Sequence, residues 1–199
     1  MRRALPFFCL FFASTAFAQK PAARWPLQTE RLMAADAASF APEDFKRMLA
    51  KNRDRLMAGV SDAVAAEDGR RDGEAHRAAA AKGARAIATM IREHRTFGEV
   101  AYEVGGLVHE LAAAFPPSDA SSATAAGKRS SFLGYTLEPF GSPEKLAAAT
   151  PPSASSRAAY DAATSLSTRL LAWIWNTAGG DARIVSRHME TKGPYTIRE

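Results

Sequence analysis

Three residues of this 199-residue chain, Asp62, His76 and His109, have side chains that could converge on one metal ion. One carboxylate and two imidazoles are a normal ligand set for a hydrolytic zinc ion, whose fourth position holds water. Because any chain of this length contains an aspartate and two histidines, residue types alone do not establish a site. The sequence identifies no residue with a direct catalytic role.

His109 lies in a stretch, residues 96–119, that has the pattern of an amphipathic helix ending at a double proline. Thr96 and Glu99 have the spacing of a capping box. The apolar positions follow one helical stripe and are Val100, Val104, Leu107, Val108 and Leu111. Gly105 and Ala112 lie beside His109 and would let another backbone or an ion approach it. The alternative is that His109 is a hydrogen-bonded structural residue.

The rest of the chain predicts an all-α, single-domain bundle of about five main helices. No internal repeat and no alternating strand pattern is present. The predicted helices cover residues 27–40, 42–59, 74–95, 96–119 and 157–178. Gly59 is expected to end the second helix. Residues 60–73 are expected to form a loop that carries Asp62, and residues 141–156 a second loop.

The first 18 residues have the features of a signal peptide. Arg2 and Arg3 precede an apolar run, and an A-x-A cleavage site ends at Ala18. The run is too short for a permanent membrane anchor. We expect export to the periplasm or the extracellular space, a helical domain over residues 19–180 and a polar tail over residues 181–199. Cys9 lies in the leader, so the mature chain offers neither a disulfide nor a thiol nucleophile.

The charge of the chain gives little information about partners. The formal net charge is +5, and removing the leader removes Arg2 and Arg3 but no acidic residue. The basic residues are dispersed and not interleaved with aromatic residues, so there is no strong signal for nucleic acid. The sequence does not indicate an oligomeric state.

The order Trp25, Asp62, His76, His109, followed by the segment VGGLVHELAAAFPPSD, resembles the zinc-dependent phospholipase C family and its relatives, the single-strand-specific zinc nucleases. Gly105 and Pro117 also match that family's central motif. The resemblance covers most of residues 25–178 in helix order. It implies a helical fold, zinc bound by Asp62, His76 and His109, and a phosphodiester or phospholipid substrate.

The chain departs from the family pattern at several ligand positions. Ala113 stands where the motif has a metal-bridging carboxylate, and Glu30 and Asp119 stand where it has histidines. Trp25 matches the family's N-terminal ligand in position, but after cleavage at Ala18 six residues would still precede it. Trp25, Glu30 and Asp119 are therefore candidates for additional ligands only. The resemblance implies a three-zinc cluster, and these departures leave ligands for one zinc ion rather than three.

Three functions remain open from the sequence. The first is a secreted metal-dependent phosphoesterase with a reduced zinc site. The second is a catalytically inactive relative that acts as a binding or scaffold protein. The third is a helical protein whose similarity to that family is accidental, which would place the three candidate ligands far apart.

Overall fold

A computed structural model of the chain describes residues 23–119, 142–148 and 155–180. Within these ranges the chain forms seven α-helices and no strand, which confirms the all-α class. The helices are α1 (Leu27–Ser39), α2 (Glu43–Lys51), α3 (Arg53–Ala66), α4 (Gly73–Arg92), α5 (Phe97–Ala114), α6 (Pro143–Ala148) and α7 (Ser156–Thr177). The predicted signal peptide and polar tail lie outside the described residues.

The α5 helix lies at the centre and packs against α1, α3, α4 and α7. Its N-terminus carries the predicted capping box, in which Thr96 and Glu99 bond to each other's backbone N–H. The helix ends at Ala114, directly before Phe115 and the two prolines. All five residues of the predicted apolar stripe are buried, which confirms that this face forms part of the core.

Gly59 does not end a helix, and the prediction of a loop directly after it is wrong for residues 60–66. The α3 helix continues through Gly59 to Ala66, so Asp62 is helical. The glycine is needed for packing, because a Cβ at Gly59 would overlap the backbone carbonyl of Tyr102 in α5. The single helix predicted over residues 42–59 is instead divided at Asn52, whose side chain donates to the Met48 carbonyl at 2.8 Å.

The chain before α1 is held against the C-terminal end of α5. The indole Nε1 of Trp25 donates to the backbone oxygens of Ala112 at 3.1 Å and Phe115 at 2.8 Å. The Ala112 carbonyl also accepts from Phe115 N–H, and the indole adds a donor at the helix end, where the regular intrahelical bonds stop. The indole bonds also bring the first turn of α1 next to the last turns of α5.

The remaining helices complete the bundle. Asp72 caps α4 by accepting from Ala75 N–H at 2.8 Å, and Ser155 caps α7. The loop predicted over residues 141–156 is wrong in part, because α6 lies within it and begins with a proline, a residue that fits the first helical position. None of the described helices combines the length and apolar character that crossing a membrane requires.

Candidate functional site

Two histidines from neighbouring helices meet at the end of the bundle that Trp25 covers. His76 lies in the first turn of α4 and His109 in the second half of α5. Both are buried, with relative exposures of 4% and 3%. Their rings are perpendicular, and the ring centroids are 6.4 Å apart. The structure therefore brings together two of the three predicted ligands.

A carboxylate holds the Nδ1 atom of each histidine. Glu30 Oε2 of α1 is 2.8 Å from His109 Nδ1, and Glu110 Oε2 of α5 is 2.8 Å from His76 Nδ1. When the carboxylate is ionised and accepts this hydrogen bond, Nδ1 carries the proton of the ring. When the imidazoles are neutral, their lone pairs are on Nε2. The same arrangement orients histidines that bind metals through Nε2.

The two Nε2 atoms face one oxygen of a third carboxylate. Glu67 Oε2 lies 3.8 Å from His76 Nε2 and 3.6 Å from His109 Nε2, which is longer than a hydrogen bond. His109 Nε2 is buried and has no hydrogen-bond partner. A buried polar atom left unpaired is uncommon in proteins, and it marks this point as a place where a group could bind.

Arg71 joins two of the carboxylates. Its Nη2 donates to Glu67 Oε2 at 2.6 Å, and its Nη1 donates to both oxygens of Glu110 at 2.9 Å. The other oxygen of Glu67 accepts from Gly69 N–H at 2.7 Å. The histidines, the three glutamates and the arginine thus form one connected polar cluster, which we call the His–Glu cluster: Glu30, Glu67, Arg71, His76, His109 and Glu110.

Burial and the neighbouring charges shift the pKa values of Glu67, His109 and Glu30. Burial opposes ionisation of Glu67, but Gly69 N–H, Arg71 and His76 together lower the pKa of Glu67 to about 2. Burial also opposes the charged form of His109, yet its hydrogen bond to Glu30 and the charges of Glu30, Glu110 and Glu67 raise its pKa. Burial raises the pKa of Glu30 despite the opposing effect of His109. Glu30 and His109 therefore interact strongly, and the protonation of one depends on that of the other.

The His–Glu cluster borders a cavity of about 210 Å³. Both histidines, Glu30, Glu67 and Arg71 line it. Apolar lining comes from Trp25, Ala112 and Ala113, and a second guanidinium comes from Arg24. Ala113 is one helical turn after His109, so the side chain that the family pattern would make a carboxylate faces the same cavity as a methyl group.

Asp62 does not lie with the two histidines. It is exposed on α3, where its Oδ2 accepts from Tyr102 O–H at 2.9 Å, and it does not line the cavity. The carboxylate nearest both Nε2 atoms is instead Glu67, five residues later at the end of α3. Asp62 was a candidate by residue type and by its order in the family resemblance, and the longer α3 helix places it away from the cavity.

The three candidates for additional ligands have different surroundings. Glu30 reaches His109, but at Nδ1, where it orients the ring. Trp25 lines the cavity, and its indole N–H is already bonded to α5. Asp119 is exposed, accepts from Ser118 Oγ at 3.3 Å and does not line the cavity.

Sequence reasoning missed Glu67, Arg71 and Glu110. The available signals were the spacing of four residues between Glu67 and Arg71, and the position of Glu110 directly after His109. Neither signal is distinctive, because charged residues at such spacings usually lie in water. Apart from the Glu67–Arg71 pair, the hydrogen bonds that define the cluster join residues 34 to 79 positions apart.

The described ranges contain no group of three or more His, Cys, Asp or Glu side chains already arranged to hold a metal ion. The His–Glu cluster nevertheless has donors that fit one. Ligand atoms around a tetrahedral zinc lie about 3.4 Å apart, given bonds of about 2.1 Å, and Glu67 Oε2 is 3.6 Å and 3.8 Å from the two Nε2 atoms. The three carboxylates outnumber the two guanidinium groups at the cavity, those of Arg24 and Arg71, so negative charge is in excess when the imidazoles are neutral. A bound cation would offset it.

No protein-family model matches this chain, and the comparisons with curated proteins and with solved structures found no match either.

Proposed function

We propose that this chain binds one divalent metal ion, zinc, through His76, His109 and Glu67, and that it hydrolyses phosphoesters at that ion. The carrying observation is the placement of both Nε2 atoms against one oxygen of Glu67, with each Nδ1 held by another carboxylate. The unpartnered Nε2 of His109 points to the same place. Three protein ligands with an open position is the usual design of a mononuclear hydrolytic zinc site.

A bound zinc ion would supply a water of lowered pKa and neutralise negative charge on a phosphate. The chain supplies the surroundings. Glu30 and Glu110 fix the orientation of the two imidazole rings and make their Nε2 atoms more basic metal ligands. Arg24 and Arg71 place positive charge at the cavity, which favours an anionic substrate. The substrate class, a phosphodiester or phospholipid, rests on the resemblance of residues 104–119 to the zinc phospholipase C and nuclease pattern.

A single ion fits the residues better than a cluster of ions does. A bridging carboxylate would be needed between two metals, and the position one turn after His109 is Ala113. Asp62 and Asp119 do not line the cavity. The ligands of the single ion are therefore two imidazoles and one carboxylate.

A second candidate function is a non-catalytic binding or scaffold protein. One observation favours it: the carboxylates of the cluster already have partners inside the chain. Glu30 is bonded to His109, and Glu67 and Glu110 are both bonded to Arg71. In such a protein the His–Glu cluster would hold α1, α4 and α5 together without any ion.

Metal content and hydrolysis distinguish the two. The chain without its predicted leader would be freed of metal with a chelator and exchanged into zinc buffer. Elemental analysis would then compare it with His109→Gln and with the control His94→Asn. The amide nitrogen of Gln can still donate to Glu30, but Gln has no imidazole lone pair to bind the ion. His94 is exposed and has φ 57°, a conformation that asparagine tolerates. It follows the C-terminal end of α4, whereas His76 lies in the first turn of that helix.

We expect about one zinc per chain in the wild type and in His94→Asn, and none in His109→Gln. Hydrolysis of bis(p-nitrophenyl) phosphate should follow the zinc content. Zinc binding without hydrolysis of this substrate or of phosphatidylcholine vesicles would leave the binding protein as the answer. Absence of zinc from the wild type would overturn the metal-site proposal.

A further inference from the structure

We infer that Arg71 is an internal competitor of the metal ion, so that a cation binds only by displacing the Arg71 guanidinium from Glu67. This inference rests on the proposed metal site and adds the residue that sets its affinity. Arg71 has no place in the family pattern by which the sequence was interpreted. It is identified by its contacts alone.

The competition occurs at one atom. Glu67 Oε2 accepts from Arg71 Nη2 at 2.6 Å, and it is the same oxygen that lies 3.6 Å and 3.8 Å from the two Nε2 atoms. The other oxygen, Oε1, is bonded to Gly69 N–H. An ion bound between the Nε2 atoms would therefore take the oxygen that Arg71 now holds.

The placement of Arg71 makes such an exchange feasible. Its side chain is 40% exposed and lines the cavity, whereas the side chains of Glu67 and His109 are 5% and 4% exposed. The guanidinium can leave Glu67 and keep its two bonds to Glu110 Oε1 and Oε2. It would then stand at the cavity as a partly free cation, where an anionic ligand can reach it.

The charge balance explains why an arginine is present. Without a metal ion and without Arg71, three glutamates would lie close together beside the two histidines. Carboxylates that are buried without a counter-ion lose hydration and repel each other. Arg71 offsets both effects in the empty state. For the same reason it weakens the binding of any cation that needs Glu67.

Zinc affinity tests the inference directly. Wild type, Arg71→Met and Arg70→Met would be titrated with zinc by calorimetry against a competing chelator. Methionine keeps much of the aliphatic stem of arginine but has no charge. Arg70 is the matched control, because its replacement changes the net charge equally. Arg70 is 86% exposed and pairs with Asp68, outside the cluster.

We expect Arg71→Met to bind zinc about tenfold more tightly than wild type, the scale of one lost charge-assisted hydrogen bond. Arg70→Met should change the dissociation constant less than twofold. Arg71→Met should also lower the unfolding temperature of the metal-free protein. Zinc should then raise the unfolding temperature of this variant by more than it raises that of wild type. Circular dichroism establishes that the variant is folded. If it is not, Arg71→Lys, which keeps a charge but loses the two-pronged geometry, should still bind more tightly than wild type.

The outcomes separate this inference from the proposed function. Zinc binding by wild type with equal or weaker binding by Arg71→Met overturns the role of Arg71 and leaves the metal site standing. Zinc binding by Arg71→Met alone supports the competition and overturns a native zinc site. Absence of binding in both overturns both proposals.

Discussion

The α5 helix makes two contacts one turn apart that differ in kind. At Gly105 its backbone lies directly on α3, and a Cβ there would overlap the Leu56 carbonyl. At His109 and Glu110 its side chains enter the His–Glu cluster. The first contact depends on the absence of atoms and on no charge. The second depends on charges that are acceptable in a buried place only while all of their partners are present. This contrast leads to four predictions.

The largest effect is expected from His109→Leu. The substitution removes the partner of Glu30, which is 4% exposed and would be left as an unpaired buried carboxyl group. Loss of one member of a buried ion pair typically reduces the free energy of unfolding by about 3 kcal/mol or more. Urea denaturation measures the change.

The double variant Glu30→Leu with His109→Leu is the control. Replacing both members of a buried pair with apolar side chains is often neutral, so most of the lost stability should return. A double variant as unstable as the single variant would mean that the volume of the side chains, rather than their charge, matters at this position.

A somewhat smaller effect is expected from Gly105→Ala. The added methyl group would force α5 away from the backbone of Leu56 and Val60. Overpacking of this kind lowers the free energy of unfolding by about 2 kcal/mol. The loss should be the same at pH 7 and at pH 4, because no titratable group takes part in the contact. A pH-dependent loss would show that the two contacts are not independent.

The third prediction concerns Glu67→Gln and pH. The folded pKa of Glu67 is about 2, below the ordinary 4.5. A lowered carboxyl pKa contributes stability that is present above pH 4.5 and is lost as the pH falls toward 2. The full shift corresponds to about 3 kcal/mol, and water in the adjoining cavity should reduce the effect to about 1.5 kcal/mol. The difference between wild type and variant in urea denaturation should therefore shrink from pH 5.5 to pH 2.5.

The smallest effect is expected from Gly106→Ala, which should stabilise the protein by about 0.5 to 1 kcal/mol. A Cβ at Gly106 meets no atom within 4 Å, in contrast to its neighbour Gly105. Alanine lowers the entropy of the unfolded chain without a steric penalty. Thermal unfolding of the two variants side by side would show opposite signs. The same sign would contradict the packing described for α5.

The local parts of the fold could be predicted from the sequence. The capping box of Thr96 and Glu99, the apolar stripe of α5 and the helix end before Pro116 all depend on residues within one or two turns of each other. Gly105 was expected to admit another backbone, and α3 is that backbone. The helix end predicted at Gly59 was wrong, because a glycine can either end a helix or allow a close contact between two helices.

The polar contacts could be predicted only in part. His76 and His109 were identified by type and order, and Glu30 was identified as a candidate partner for an ion. The role of Glu67 and Arg71 depends on where the chain turns after α3. The sequence predicted that turn at Gly59, but α3 continues to Ala66. Spacing along the chain carries no information on contacts between residues as distant as Glu30 and His109.

The indole bonds of Trp25 have a consequence for the order in which the protein is made. Their acceptors lie 87 and 90 residues further along the chain. At a synthesis rate of about 5 to 20 residues per second, Trp25 waits roughly 5 to 20 s for them. During that time the first turn of α1 lacks the surface that buries it. Fluorescence of Trp25 in ribosome-bound chains of increasing length should therefore change only after Phe115 has left the exit tunnel.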